Sequence, residues 1–468
     1  MDDNDEVQRW AEEQVASAKL GDARRVRRAA SMLRRAADQP AGRLTEVFST
    51  RAELQAAYDF IETDIAPRAL VTAFAEASLR AVGDASHIYV PVDGTSLSLT
   101  DVSKTKDFGS VGMRALPTRG LKVLDALAVA AEGTPVGLLD LEFWVRGPKS
   151  KKSLRVRRRK GETETTHWVD VVTRTGELVR RKAPSCVPWF LIDREGDNAE
   201  ILRAAAKQGR FTIRANQDRP VVLVDGRRCP LRRYMRKRRI AGSYDVDVPA
   251  GPARRARRAR LDVRFADVVL DLPVRATRRR TTMKVRVVWA YERRAPHGEE
   301  RLDWMLLTNA EVNGFEDAKG IIHGYCFRWR GEDFHRTWKR GRCNVEDTQL
   351  HTGDRVIRWA TMLAAVAART ERLKHLARTQ PDVAASVALS PMEIEALRAA
   401  KTKYKARTET IPEGVPTIAQ AVLWIAELGG YTGKSSGGPP GSTTIGRGLM
   451  RLMIWTEAFE YSEKLRQK

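Results

Sequence analysis

Cysteine is scarce in this sequence: Cys186, Cys229, Cys326 and Cys343 are the four in 468 residues, and none forms a C-x-x-C pair. The seven histidines make no spaced ligand pairs with them, so neither a zinc site nor a disulfide framework is expected. Any metal would have to be held by carboxylates, which select hard ions such as magnesium or manganese. Long apolar runs are missing too. No stretch of about 18 apolar residues is present to cross a bilayer, and the acidic start, residues 1–6, lacks the basic-then-apolar layout of a signal peptide. A cytoplasmic chain with no membrane partner is the expectation. Acidic residues are the third deficit: Asp and Glu number 59 against 83 Lys and Arg, for a formal net charge of +24 and a pI near 10.2. That excess points to a polyanion. Nucleic acid comes first, because Lys and Arg gain affinity by releasing phosphate counterions, and an anionic membrane surface second.

What the chain has in quantity is length and arginine. With 42% hydrophobic and 30% charged residues, it suits a soluble globular protein of about three domains. A first helix containing Trp10 is expected, then a second opened by Leu20-Gly21-Asp22-Ala23-Arg24-Arg25-Val26-Arg27-Arg28, with Asp22 placed to cap its first turn. Val26, Ala29, Ala30, Leu33 and Ala36 give that helix a buried side, while Arg24, Arg25, Arg28, Arg34 and Arg35 crowd the remainder. Such crowding repels itself unless phosphates are near. Ala56-Ala57-Tyr58-Asp59-Phe60-Ile61 belongs to another helix. A small bundle with a solvated basic face and one that binds DNA fit this composition equally.

From residue 87 the pattern turns β-rich. An apolar strand at 87–92 runs into Asp93, strands follow at 121–129 and 136–145, and a helix at 162–174 leads to a strand at 187–192 that ends in Asp193, Arg194, Glu195, Gly196 and Asp197. Taken singly, a strand-terminal Asp is ordinarily a turn or helix cap. After a strand at 211–214 ending in Arg214, Arg-rich runs at 227–239, 254–260 and 275–280 alternate with strand-like 261–274 and 283–290, before Trp304-Met305-Leu306-Leu307-Thr308. These basic strands are either solvated edges that deter aggregation or surfaces along DNA backbone. A second basic run, 149–160, reads as a mobile loop that orders on DNA. Helices return at 361–376, 391–405, 419–428 and 445–466, the last exposing Leu449, Leu452, Met453 and Trp455.

The stretch 325–339, Y-C-F-R-W-R-G-E-D-F-H-R-T-W-K, reads as part of a single helix. At about 100° per residue, Tyr325, Arg328, Glu332 and Lys339 fall within roughly 60° of one another, with Arg336 beside them. Phe327, Phe334 and Trp338 take the opposite face, toward a core. The charged face is either an ordinary solvated one with ion pairs or a carboxylate flanked by cations and presented to an anion.

The spacing Tyr-x2-Arg-x3-Glu-x6-Lys resembles the Y-R-E-K signature of bacterial cut-and-paste DDE transposases of the insertion-sequence-four superfamily, the group that includes the transposase of transposon Tn-five. L-G-D-x-R-R at 20–25, A-A-Y-x-F at 56–60, D-R-E-x-D at 193–197 and A-x-L-G-G-Y at 426–431 are similar to the same family in the same order, so the resemblance covers nearly the whole chain. It implies an α/β fold: an RNase H-like catalytic domain at 71–370, a mixed sheet with helices, carrying a β-rich insertion at about 220–302. An all-α DNA end-recognition domain at 1–70 and an all-α dimerisation domain at 371–468 would flank it. Asp93, Asp193 and Glu332 would form the D-D-E set, holding two Mg2+ ions per site, with Mn2+ as substitute, for strand cleavage and strand transfer. Tyr325, Arg328, Arg336 and Lys339 would contact phosphates near the cut. Trp304 would support a flipped base, a core tryptophan being the equal alternative, and Arg214, Arg24, Arg25 and Arg28 would add DNA contacts. The implied partners are double-stranded DNA, both transposon ends and target, and a second copy of the chain on paired ends. A hairpin intermediate and a bacterial, nucleoid-associated location come with the resemblance. Gly94 and Gly331 depart from it, standing beside acids where bulkier residues are expected. A structure-specific RNase H-like nuclease without strand transfer and a domesticated, non-cutting DNA-binding protein remain alternatives.

Overall fold

A computed structural model describes residues 6–466 apart from 102–103, 113–117, 147–162, 249–254, 275–278, 406, 408 and 434–437. The basic run at 149–160 therefore lies outside the described residues. The described chain opens with helices α1 (Glu6–Val15), α2 (Ala23–Asp38), α3 (Leu44–Val47), α4 (Arg51–Glu62) and α5 (Pro67–Val82). Strands β1 (His87–Ser98), β2 (Gly109–Val111), β3 (Thr118–Val129) and β4 (Pro135–Trp144) follow, then α6 (Glu164–Lys182), β5 (Val187–Ile192), α7 (Ala199–Gln208) and β6 (Arg210–Arg214). Next come β7 (Pro220–Val222), β8 (Arg228–Pro230), α8 (Leu231–Arg236), β9 (Gly242–Val248), β10 (Arg257–Pro273), β11 (Arg280–Glu292) and β12 (Asp303–Thr308). Helices α9 (Phe315–Cys326) and α10 (Trp329–Arg336) lead into a π-turn, Thr337–Gly341. The chain closes with α11 (Gly353–Thr379), α12 (Pro391–Tyr404), α13 (Ile418–Leu428) and α14 (Ser442–Arg466). The result is a mixed α/β fold with helical N- and C-terminal regions, consistent with an RNase H-like core flanked by helical domains.

Two compact units form. The first gathers Met1–Gly83, Gly94–Pro148 and Arg330–Lys468; the second gathers Asp84–Asp93 and Lys149–Trp329.

In the first unit α11 is the spine. Its residues bury sites along nearly the whole length of the helix, and its polar side chains tie the N-terminal helices to it. Trp359 donates its indole N–H to the Gly42 carbonyl at 2.9 Å, and Arg358 reaches the carbonyls of Ile61 and Ile65 at 3.0 and 2.8 Å. Asp22 caps α2 as its sequence position requires, accepting from the Arg24 amide at 2.8 Å. Ala29, Ala30, Leu33 and Ala36 face inward, and Arg24, Arg25 and Arg28 face solvent. Toward the C-terminus, Ser390 with Glu393 and Thr417 with Gln420 form reciprocal caps on α12 and α13. Those helices close a core with Leu397, Ile418, Ile425, Ile445, Leu449 and Leu452. The sequence expectation that α14 exposes Leu449 and Leu452 is thus corrected: both are at most 5% accessible, and Met450, Ile454, Tyr461 and Leu465 are outward instead. The helix meets a bundle rather than one neighbour, which turns its broader apolar face inward.

In the second unit a mixed sheet runs in the order β1, β5, β6, β12, β11, β10, β7, β8, with β9 on β10. β5 lies parallel to both β1 and β6, and its Phe190, Leu191 and Ile192 are fully buried, as expected of a strand covered on both faces. β10 and β11 form a long antiparallel ribbon from Leu261↔Glu292 to Pro273↔Arg280. Leu261 and Val263 point to one core, while Asp262, itself buried, and half-buried Arg264 take the other face of the strand.

Candidate active site

The second unit brings two of the sequence-predicted acids side by side. Val92 on β1 pairs with Ile192 on β5 in a parallel register, so Asp93 and Asp193 occupy the next positions on neighbouring strands, about 4.8 Å apart at the backbone. Asp93 is 9% exposed and its Oδ2 lies 3.3 Å from Nη1 of Arg328. Asp193 is half-buried and accepts from the Glu195 amide at 2.8 Å, which fixes its carboxylate just beyond the strand. Two hard carboxylates on a rigid sheet suit oxygen-seeking divalent ions.

Tyr325, Arg328 and Arg214, three of the four expected DNA contacts of this unit, interact with one another beside this pair. Tyr325 and Arg328 are 6% and 7% exposed. Burial pushes the Tyr325 phenol well above its usual range, against the opposing pull of Arg328 and Arg214. The Arg214 guanidinium is lowered, first by burial and then by Arg194, while it donates to the Asp303 carbonyl at 2.9 Å. Trp304 pairs with Ala290 across β11 and β12 and packs, half-buried, on the cluster containing Leu261 and Val263.

The stretch 325–339 departs from the single regular helix expected of it. α9 ends at Cys326; the Phe327 and Arg328 amides bond back three residues to Gly324 and Tyr325, tightening the chain before α10 begins. The run then widens into the π-turn. Tyr325 and Arg328 are accordingly buried rather than displayed to solvent, whereas the apolar side is as expected: Phe334 and Trp338 are fully buried, each worth about 1.5–3 kcal/mol relative to exposure.

In the first unit, Glu332 is half-buried on α10. Arg336 is exposed and pairs with Asp333 at 3.0 Å. Lys339 lies 3.3 Å from Glu346 and 3.4 Å from the Thr95 hydroxyl. His335 is bonded to Asp125 on β3, a buried pair that anchors α10.

Two polar clusters go beyond what the motifs indicate. Asp197, the last acid of D-R-E-x-D, is 3% exposed. It accepts from the Asn216 and Gln217 amides and binds Arg219 through two guanidinium nitrogens, at 3.2 and 2.6 Å, so its place here is structural. On α11, the spacing Glu371, Lys374, His375 sets three side chains on one face. Ligand atoms of Asp333, Glu371 and His375 lie within 4.8 Å of one another, a potential metal cluster among the described residues. The Lys374 ammonium contacts Glu371 and lies 3.4 Å from Asp333, supplying the cation these carboxylates need. Burial works to raise the Asp333 pKa, but His375, Lys374 and Arg336 hold it well below the carboxylate range; His375 is lowered, first by burial and then by Arg330 and Lys374. The Glu-x-x-Lys-His spacing was the available signal for this cluster.

Comparison with known families matches residues 7–65 to the transposase DNA-binding family and residues 365–467 to the transposase Tn5 dimerisation domain. The first match covers α2 with its exposed arginines, and the second covers the helices closing the C-terminal core. Both modules on one chain, in this order on either side of a β-rich region, support a Tn5-like transposase.

Proposed function

We propose that the chain binds the terminal inverted repeats of its element, cleaves both strands through a hairpin-ended intermediate and joins the 3′ ends to target DNA. Asp93, Asp193 and Glu332 are the catalytic acids and would hold two Mg2+ ions, with Mn2+ able to substitute. Bound ions supply activation of a water or 3′-hydroxyl and stabilisation of the leaving oxygen. The observation that carries the reading is the β1–β5 register that sets Asp93 beside Asp193, in a chain with both flanking transposase modules.

The remaining residues bind and orient DNA. Arg328, whose guanidinium lies 3.3 Å from Asp93, would exchange that carboxylate for a phosphate oxygen of the DNA. Tyr325, a neutral phenol, donates its hydroxyl to a phosphate; Arg214, Arg336 and Lys339 add charge along the strand, and Trp304 stacks on an extruded base. Arg24, Arg25 and Arg28 follow the end-repeat backbone. In this organisation end recognition occupies residues 1–70, catalysis 71–370 with an insertion at 220–302, and pairing of two copies 371–468, in a cytoplasmic protein associated with the nucleoid through DNA.

The test is incubation of purified protein with its element's end fragment joined to flanking DNA, in magnesium, manganese or chelator, with products resolved on denaturing gels. Metal-dependent nicking at the boundary followed by a hairpin or joined product is expected. Cutting of branched DNA regardless of end sequence would replace transposition with a structure-specific nuclease, and binding without any cut would leave a domesticated DNA-binding protein.

A further inference from the structure

The π-turn Thr337–Gly341 follows directly on α10, and Lys339 is one of its own residues. Arg342 and Cys343 both donate their amides to the Thr337 carbonyl, at 3.0 and 3.1 Å. A π-turn accommodates one residue more than an α-turn, and such insertions concentrate at functional sites. Relaxing it to α-helix would shift the residues inside the turn, Lys339 among them, and rotate those beyond it by about 100° relative to Glu332. The azimuth of Lys339 therefore depends on what holds this turn open.

What holds it is a buried clasp. The Thr337 hydroxyl bonds to Glu371 on α11. Ser442, the first residue of α14, donates to the same Glu371 Oε1 at 2.9 Å and accepts from Lys374 at 2.9 Å. Thr337, Glu371, Lys374 and Ser442 are all at most 5% exposed, where charge-assisted hydrogen bonds are strong and leaving one unmade is costly. Glu371, Lys374 and Ser442 fall within residues 365–467, the part matched to the dimerisation family, whereas Thr337 belongs to the segment with Glu332 and Lys339. The clasp thus joins the start of α14 directly to that segment.

We infer that Glu371 is a positioning residue: held by Ser442 and Lys374, it fixes the π-turn through Thr337, and so makes the placement of Lys339 relative to Glu332 answer to the pairing helices. The catalytic part of this inference rests on the transposase reading proposed above. Movement of α14 as two copies pair tightens or loosens one hydrogen bond to Thr337, which sets whether Lys339 is aligned to receive phosphate.

Full-length Thr337→Val keeps the shape of the side chain and removes the hydroxyl; Thr337→Ser restores it. Amide hydrogen exchange over residues 337–343 is expected to quicken in Thr337→Val and return to wild-type rates in Thr337→Ser, with end-fragment binding unchanged in both and the melting temperature lowered in Thr337→Val alone, as loss of a buried hydrogen bond requires. At saturating DNA, Thr337→Val is expected to cut about 10- to 100-fold more slowly and to need more Mg2+ for half-maximal rate. Wild-type exchange and cutting in Thr337→Val would overturn the inference, as would loss of end-fragment binding in parallel with cutting. Faster exchange in a protein whose wild type never cuts would support the clasp while removing the proposed catalytic function, so the two failures are distinguishable.

Discussion

Asp197, the last acid of D-R-E-x-D, is set apart by its contacts from the proposed catalytic acids Asp93, Asp193 and Glu332. Asp197 is fully committed to two amides and Arg219, so removing it strands a buried cation. Asp197→Ala is expected to lower unfolding stability by about 3–5 kcal/mol, read from the denaturant midpoint; an unchanged midpoint would mean that Arg219 finds another partner at no cost. The three proposed catalytic acids should behave oppositely. Asp193→Asn and Glu332→Ala are expected to preserve end binding and to reduce cutting by about 10³-fold or more, the several kcal/mol that metal-assisted charge stabilisation supplies. Gel shift and denaturing gel on the same samples separate the two quantities. Equal loss of binding and cutting would count against a separate catalytic role.

Among the elements, α2 and α14 carry the clearest tests. α2 begins where Asp22 caps it, and Asp22→Ala is expected to cost about 1 kcal/mol, seen as a lower melting temperature with weaker end binding, because the cap fixes the first turn that displays Arg24 and Arg25. Binding that stays at wild-type strength would detach DNA contact from this turn. On α14, Met450, Ile454, Tyr461 and Leu465 are exposed and fall within about 60° of one another, opposite the buried Ile445, Leu449 and Leu452. A dimerisation module with such a face should pair through it. Ile454→Glu is expected to yield complexes of one chain on one end fragment by light scattering, with end affinity retained; wild-type mass would exclude this face. The helix itself was legible from its periodicity, but which apolar residues it buries was not, because that depends on the bundle it enters.

For the whole molecule, the net charge of +24 is the dominant physical property. With about six to ten phosphate contacts, end binding should weaken by roughly 10³- to 10⁵-fold between 50 and 200 mM salt, measurable by fluorescence anisotropy; a flat salt response would show that the arginines do not lie on the DNA backbone. Much of this charge is already engaged within the fold. Arg257 bonds to Glu292 and Glu299, Arg219 to Asp197, and Arg328 to Asp93, so total charge overstates what is available to DNA.

Sequence alone determined the class of partner, the order of helical, β-rich and helical regions, the Asp22 cap and the apolar side of 325–339, because each depends on composition or on residues one or two turns apart. Tertiary structure decided the rest. Asp93 and Asp193, 100 positions apart in the chain, become neighbours only because β1 and β5 pair in one register, and a shift of one residue would put them on different faces. The burial of Tyr325 and the bond from Thr337 to Glu371 likewise arise from packing against distant elements. Local periodicity carries no record of those contacts, since the hydrogen bonds that set them come from residues remote in sequence.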